Sequence, residues 1–173
     1  ANAGISTPVS SVIDLDTDRY RELLAINLDG AFFALRETAR HMVERAKAGD
    51  AGGSLIVNGS TSAVMGVPGI PHYAAAKGGL LAMVRSLAVD LGPWGIRANM
   101  VAPGYTVTNL NRSPEQAVQR AATDAKVQDR TPLGRLGRPE DITGSIVYLM
   151  SDAAAFHSGD LLKIDGAASI NLM

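Results

Sequence analysis

Tyr73 and Lys77 stand four residues apart in a segment that opens on Pro71 and runs without a breaker to Leu91. On a helix that spacing puts both side chains on one face, a turn apart. Ser60 follows the apolar run Leu55-Ile56-Val57 and so sits at the carboxyl end of a candidate strand. A free phenol has a pKa near 10 and is a poor base at neutral pH, but a nearby ammonium favours the phenolate. A tyrosine tuned in this way can pass a proton to or from an alcohol oxygen, and a serine hydroxyl can hold that oxygen in place. The carbon bearing the oxygen must then gain or lose a hydride. No side chain supplies one, so a nicotinamide or a flavin is required. Taken alone, a Tyr–Lys pair at this spacing is common on helices, and Thr61 and Ser62 offer alternative hydroxyls beside Ser60. The chemistry therefore rests on the elements around these residues.

Those elements alternate. Asp14-Leu15-Asp16-Thr17-Asp18 supplies caps and acids for a helix start, and apolar residues recur at helical spacing from Tyr20 to about Lys47. Leu24, Leu28, Phe32, Leu35, Ala39 and Met42 are expected to face inward, with Asn27 on the same side. Gly49 to Gly53 end this helix. Leu55–Val57 reads as a buried parallel strand, 71–91 as a second helix stopped by Gly92-Pro93-Trp94-Gly95, and Ile96–Ala102 as a second strand broken by Pro103-Gly104. Ser113-Pro114-Glu115 begins a short helix reaching about Gln128, and the stretch 130–138 is expected to be loop. A third long helix runs from Pro139 to about Ser151, and a last strand spans Leu161–Ile164. The chain opens on Ala1-Asn2-Ala3-Gly4-Ile5, which reads as a strand end entering a turn. Alternating helices and strands imply βαβ units and a Rossmann-like, doubly wound parallel sheet, in one domain over 1–173. Ligands of such sheets bind beyond the carboxyl ends of the strands, so residues after Val57, Ala102 and Ile164 and the turn at Asn2 are the informative ones.

Composition narrows the alternatives. The 173 residues carry a formal net charge of −1, which suggests neither polyanion binding nor membrane steering. The absence of cysteine excludes disulfides and thiolate catalysis, and three scattered histidines give no metal-ligand spacing. No apolar run reaches the roughly 18 residues of a membrane span, and no signal peptide is visible, so a cytoplasmic location is expected.

The run from Asn58-Gly59-Ser60 to Tyr73-Ala74-Ala75-Ala76-Lys77 resembles the active-site segment of the short-chain dehydrogenase/reductase family, with its serine thirteen residues before the tyrosine of Tyr-x-x-x-Lys. Asn2-Ala3-Gly4 is similar to the family's Asn-Ala-Gly turn, Asn27 within Ile26-Asn27-Leu28 to its helix asparagine, and the stretch 103–108 to its Pro-Gly turn. Gly137-Arg138-Pro139-Glu140-Asp141 and Ile164-Asp165-Gly166 resemble its C-terminal signatures. Each motif is weak alone; six in order make the resemblance specific, and it covers essentially the whole chain.

The resemblance implies roles. Tyr73 would be the general acid/base, Lys77 would lower its pKa and bind nicotinamide ribose hydroxyls, and Ser60 would hydrogen-bond the substrate oxygen. Asn27 would hold a relay water at a helix distortion such as a π-bulge. Asn2 and Gly4 would border the adenosine side of NAD or NADP, Pro103, Gly104 and Thr106 would shape the nicotinamide pocket, and Thr108 would reach the cofactor's amide or phosphate. A small alcohol or carbonyl compound is the implied substrate, and a homo-oligomer, dimer or tetramer, the implied assembly, with the two long helices forming subunit contacts.

The family's opening strand and Gly-x-x-x-Gly-x-Gly turn do not precede Asn2, so roughly a third of the expected fold is missing and the N-terminal strands are expected to lie outside this chain. A lone chain of this kind would leave a strand edge and apolar surface uncovered. Two other readings stand beside the oxidoreductase. A serine hydrolase would need Gly-x-Ser-x-Gly, and Asn58-Gly59-Ser60-Thr61-Ser62 fails at both glycines. A catalytically inactive assembly module would oligomerise without binding a nicotinamide.

Overall fold

The computed structural model describes residues 1–7, 10–108, 110 and 117–171, of which 117–120 by backbone alone. The expected start of the short helix at Ser113-Pro114-Glu115 lies outside them. Strands β1 (Gly53–Asn58), β2 (Ile96–Pro103) and β3 (Leu161–Ile164) form a parallel sheet in the order β1-β2-β3, with Val57 opposite Met100 and Met100 opposite Leu161. On the free side of β1, the Ala1 amine donates to the Ile56 carbonyl at 2.6 Å and the Ala1 carbonyl accepts from Asn58 N–H at 2.8 Å. Ala1 thus bonds to β1 in the pattern of a parallel pair, while residues 1–7 form no strand of their own.

Helices cover both faces of the sheet, as a doubly wound fold requires. Alternation along the strands decides which side chain meets which layer. Leu55 and Val57 of β1 and Ile96, Ala98 and Met100 of β2 pack with Leu80, Leu81 and Val84 of α3 (Pro71–Leu91) and with Ala31, Leu35 and Ala39 of α2 (Gly30–Lys47). Ile56, Val101, Leu162 and Ile164 point the other way, against Ile142, Ile146 and Leu149 of α5 (Pro139–Met150). The fold is α/β and Rossmann-like.

The first long helix is not continuous. It begins at Thr17, where the Asp16 carboxylate accepts from Arg19 N–H, and α1 (Thr17–Leu24) passes through a π turn at Ala25–Asp29 into α2. The buried positions Leu23, Asn27, Ala31, Leu35 and Ala39 are spaced strictly by fours. The extra residue in the π turn rotates the later face relative to a regular helix. The expected inward stripe is corrected, because the buried face of α2 runs through Ala31, Leu35 and Ala39: Phe32 is 42% exposed and stacks edge-on with Phe33 at 5.5 Å, while Leu24, Leu28 and Met42 are only half-buried.

Helix α3 keeps the bounds read from Pro71 and Gly92. β1 is longer at both ends than its apolar run, and β2 extends by one residue to Pro103. Helix α4 (Ala117–Arg130) ends two residues later than expected. The stretch beyond it is loop, apart from one parallel bridge between Thr106 and Gly137. The Asp141 carboxylate accepts from Arg138 N–H at 2.8 Å and from both Arg135 terminal nitrogens at 2.6 and 2.7 Å, which closes this loop onto the start of α5. Among the described residues no helix is long and apolar enough to cross a membrane.

Candidate active site

The carboxyl ends of the strands gather most of the residues singled out by type and spacing. Ser60 leaves β1 two residues after its end and caps the short 3-10 turn Thr61–Ala63. Its Oγ accepts from Ser62 N–H at 3.2 Å and from the Ser62 hydroxyl at 2.9 Å. The Ser60 side chain lies near enough to the Tyr73 phenol to favour its ionised form. Of the three neighbouring hydroxyls, Ser60 is thus the one that acts on the phenol, and Ser62 supports Ser60.

Tyr73 occupies the first turn of α3 and Lys77 the second. Lys77 is 5% exposed, its ammonium lies 5.5 Å from the centroid of the Tyr73 ring, and it donates to the Asn58 carbonyl at 2.9 Å. Burial lowers its pKa to about 8. The phenol differs from expectation. Burial pushes the Tyr73 pKa above its ordinary value, against the opposing pull of the Ser60 side chain. The Lys77 cation meets the ring face instead of the hydroxyl, and desolvation of the phenolate outweighs the lowering that an ammonium was expected to bring.

Asn27 sits at the centre of the π turn and is 1% exposed. Its Oδ1 accepts from Ile5 N–H at 2.7 Å and its Nδ2 donates to the Ile5 carbonyl at 2.9 Å. Both side-chain heteroatoms are spent on the segment that follows Gly4. A Cβ on Gly4 would stand 3.2 Å from Asn27 Oδ1, so the glycine lets the strap lie close to the helix. Asn2 accepts from Asn58 Nδ2 at 2.5 Å, which ties the opening turn to the end of β1.

Pro103 ends β2, and Gly104 N–H donates to the Ile164 carbonyl at 2.9 Å. A Cβ on Gly104 would fall 2.7 Å from Asp165 Cβ and 2.9 Å from its Cα, so only glycine permits this approach of the β2 and β3 ends. The Asp165 carboxylate in turn accepts from Ala167 and Ser169 N–H groups at 3.0 Å, holding Ala167 at φ 69°. Thr106 donates to the Gly104 carbonyl at 3.2 Å, and Thr108 Oγ1 accepts from Leu110 N–H at 3.3 Å, farther along the loop.

Several participants were not assigned roles by spacing. Asn58 holds both Lys77 and Asn2, and its own Oδ1 is buried without a partner. A polar residue ending an apolar strand run was the available signal. His72, beside Tyr73, is 1% exposed and hydrogen-bonds the Thr7 hydroxyl through Nε2, while the Tyr105 hydroxyl donates to Asp124 of α4 at 2.7 Å. Nothing local marks Thr7 or Asp124. The buried Asn99 is structural: it bridges the backbone of His157 and Asp160 at the start of β3.

The family model described as enoyl-(acyl carrier protein) reductase matches residues 1–168. Among curated relatives, the L-rhamnose 1-dehydrogenase (NAD(P)(+)) of Azotobacter vinelandii is 39% identical over 171 residues, covering 99% of this chain and 64% of that protein. The 3-oxoacyl-[acyl-carrier-protein] reductase MabA of Mycobacterium avium is 33% identical, over 96% of this chain and 61% of its own length. A gluconate 5-dehydrogenase of Burkholderia cenocepacia, solved with NADP and tartrate, superposes with a TM-score of 0.88 at 33% identity, over 97% of this chain and 62% of that one. The chain thus spans under two thirds of the length of these relatives. Matched over residues 1–168 by that family model and over nearly its whole length by these dehydrogenases and reductases, the chain belongs to the short-chain dehydrogenase/reductase family.

Proposed function

We propose that the protein interconverts an alcohol and a carbonyl compound by hydride transfer with NAD or NADP, using Ser60, Tyr73 and Lys77. The observation that carries this reading is their joint placement: a serine hydroxyl beside a half-buried phenol, and a buried ammonium beside that phenol's ring. Relatives named for L-rhamnose and gluconate put a polyhydroxylated sugar or sugar acid first among the candidate substrates.

The residues present fit a nicotinamide ribose. Lys77 donates one hydrogen to the Asn58 carbonyl and carries two more, while Asn58 Oδ1 is a buried acceptor with no partner. A diol can accept from the first and donate to the second. Tyr73, Lys77 and Asn58 would hold the ribose, Pro103, Gly104 and Thr106 the nicotinamide side, and Thr108 the amide or phosphate, with Asn2 and Gly4 bordering the adenosine. When bound, the nicotinamide takes up or supplies the hydride.

Ser60 holds the substrate oxygen, and Tyr73 exchanges the proton with it. With its pKa raised by burial, the phenol is protonated and ready to donate in the direction of carbonyl reduction. In alcohol oxidation the Lys77 cation stabilises the phenolate. The main chain of the π turn holds the relay water in this reading, since the Asn27 amide is engaged by Ile5. Copies associate as a dimer or tetramer through α2 and α3, a reading supported by the half-exposed Phe32 and Phe33.

The test is a titration of the intact protein with NADH and NADPH, followed by turnover on sugars, sugar acids and simple alcohols. Tyr73→Phe is expected to lower kcat by about 10²- to 10⁴-fold while the nicotinamide still binds, held by Lys77 and Asn58. Substantial turnover in that variant, or no nicotinamide binding by the intact protein, overturns the reading.

A further inference from the structure

We infer that His72 is a positioning residue that, through Thr7, pins the first turn of α3 and so fixes the Tyr73 hydroxyl against Ser60; this rests on the reading of Tyr73 as the proton-transfer group. The first turn of a helix leaves backbone N–H groups without intrahelical partners and frays unless a side chain caps it. In α3 the capping position is Ile70, which offers no side-chain hydrogen bond, and the first intrahelical bond runs from Ala74 N–H to the Ile70 carbonyl. Tyr73 lies inside this uncapped turn, where a proton-transfer group requires a fixed position.

His72 supplies a tether. It is 1% exposed, and its Nε2 is hydrogen-bonded to Thr7 Oγ1, sixty-five residues away in sequence. Thr7 belongs to a strap anchored on either side. Two hydrogen bonds from Asn27 hold Ile5, and Ser10 N–H donates to the Gly69 carbonyl at 2.9 Å, just before α3. Ile5 is thus fixed to the π turn, and Ser10 to the loop entering α3. The Thr7–His72 bond joins Thr7 to the residue preceding Tyr73. On the far side, the Ser60 hydroxyl stands beside the phenol.

The imidazole carries an expense that an apolar residue would avoid. Its Nδ1 is buried with no partner, and burial holds its pKa below the ordinary value, so the ring is neutral. With the ring hydrogen on Nε2, Thr7 Oγ1 accepts it and Nδ1 remains a bare acceptor. A core position filled for packing alone favours an apolar side chain over a half-satisfied ring. The strap contact is what the imidazole adds.

The experiment compares Thr7→Val, which removes the hydroxyl, with Thr7→Ser, which keeps it, and adds His72→Phe, all in the intact protein. Thr7→Val is expected to lower kcat by roughly 10- to 100-fold, while KM for the nicotinamide stays within about twofold. Thr7→Ser is expected to recover most of the rate, and amide hydrogen exchange in the first turn of α3 is expected to quicken in Thr7→Val and His72→Phe only. Unchanged kcat in Thr7→Val, or equal losses in the Val and Ser variants, overturns the inference. Tyr73→Phe measured alongside separates the two failures. If it is inactive while Thr7→Val is fully active, only the role of His72 falls; if it is active too, the reading of the site falls with it.

Discussion

The Lys77 ammonium lies 5.5 Å from the centroid of the Tyr73 ring and donates to the Asn58 carbonyl at 2.9 Å, so one buried cation joins the first two turns of α3 to the end of β1. Burial is the cause of its lowered pKa, about 8 against 10.5 for a free lysine. Between those values the unfolded chain binds more protons than the folded one, so this group makes stability rise with pH. Its contribution is fully present above pH 10.5 and is lost as pH falls through 8. The whole change amounts to about 3 kcal/mol. Urea unfolding of wild type and Lys77→Met, from pH about 7 to about 9.5, should show the wild type gaining on the variant as pH rises. A constant difference across that window would mean that Lys77 is solvated.

Asn27 should matter for stability through Ile5. Asn27→Ala leaves the Ile5 N–H and carbonyl without the bonds now measured at 2.7 and 2.9 Å, and the expected loss in chemical denaturation is about 2 kcal/mol. A loss near zero would show that the strap finds other partners when the amide is removed.

Gly104→Ala tests the approach of β2 to β3. The new Cβ meets Asp165 at its backbone, which cannot rotate aside, so the strand ends must separate. Destabilisation of about 2 kcal/mol is expected, together with weaker nicotinamide binding in a direct titration. Unaltered binding would remove Gly104 from the proposed cofactor pocket.

Tyr105 and Asp124 connect the turn after β2 to α4 by a 2.7 Å hydrogen bond. Tyr105→Phe and Asp124→Asn should each lower stability in chemical denaturation, and the double variant should be no worse than either single one. The expected coupling is about 1 kcal/mol. Additive effects in the cycle would show that the two residues act independently.

Local chemistry in the sequence was enough to set the bounds of α3, from Pro71 to the glycine after Leu91, and to place β3, because proline, glycine and short apolar runs act over a few residues. Six short motifs in order, from Asn2-Ala3-Gly4 to Ile164-Asp165-Gly166, likewise determined the family, and Ser60, Tyr73 and Lys77 the chemistry to be expected. Tertiary structure decided what depends on distant partners and on enclosure. Phe32 is 42% exposed because the buried face of α2 runs through Ala31, Leu35 and Ala39, and which side of the apolar stripe meets the sheet is set only by packing. Asn27 is spent on Ile5 and His72 on Thr7 through pairings that only the folded strap creates. The raised pKa of Tyr73 and the lowered pKa of Lys77 follow from desolvation, and desolvation exists only once the sheet, α3 and the loops have closed around both side chains.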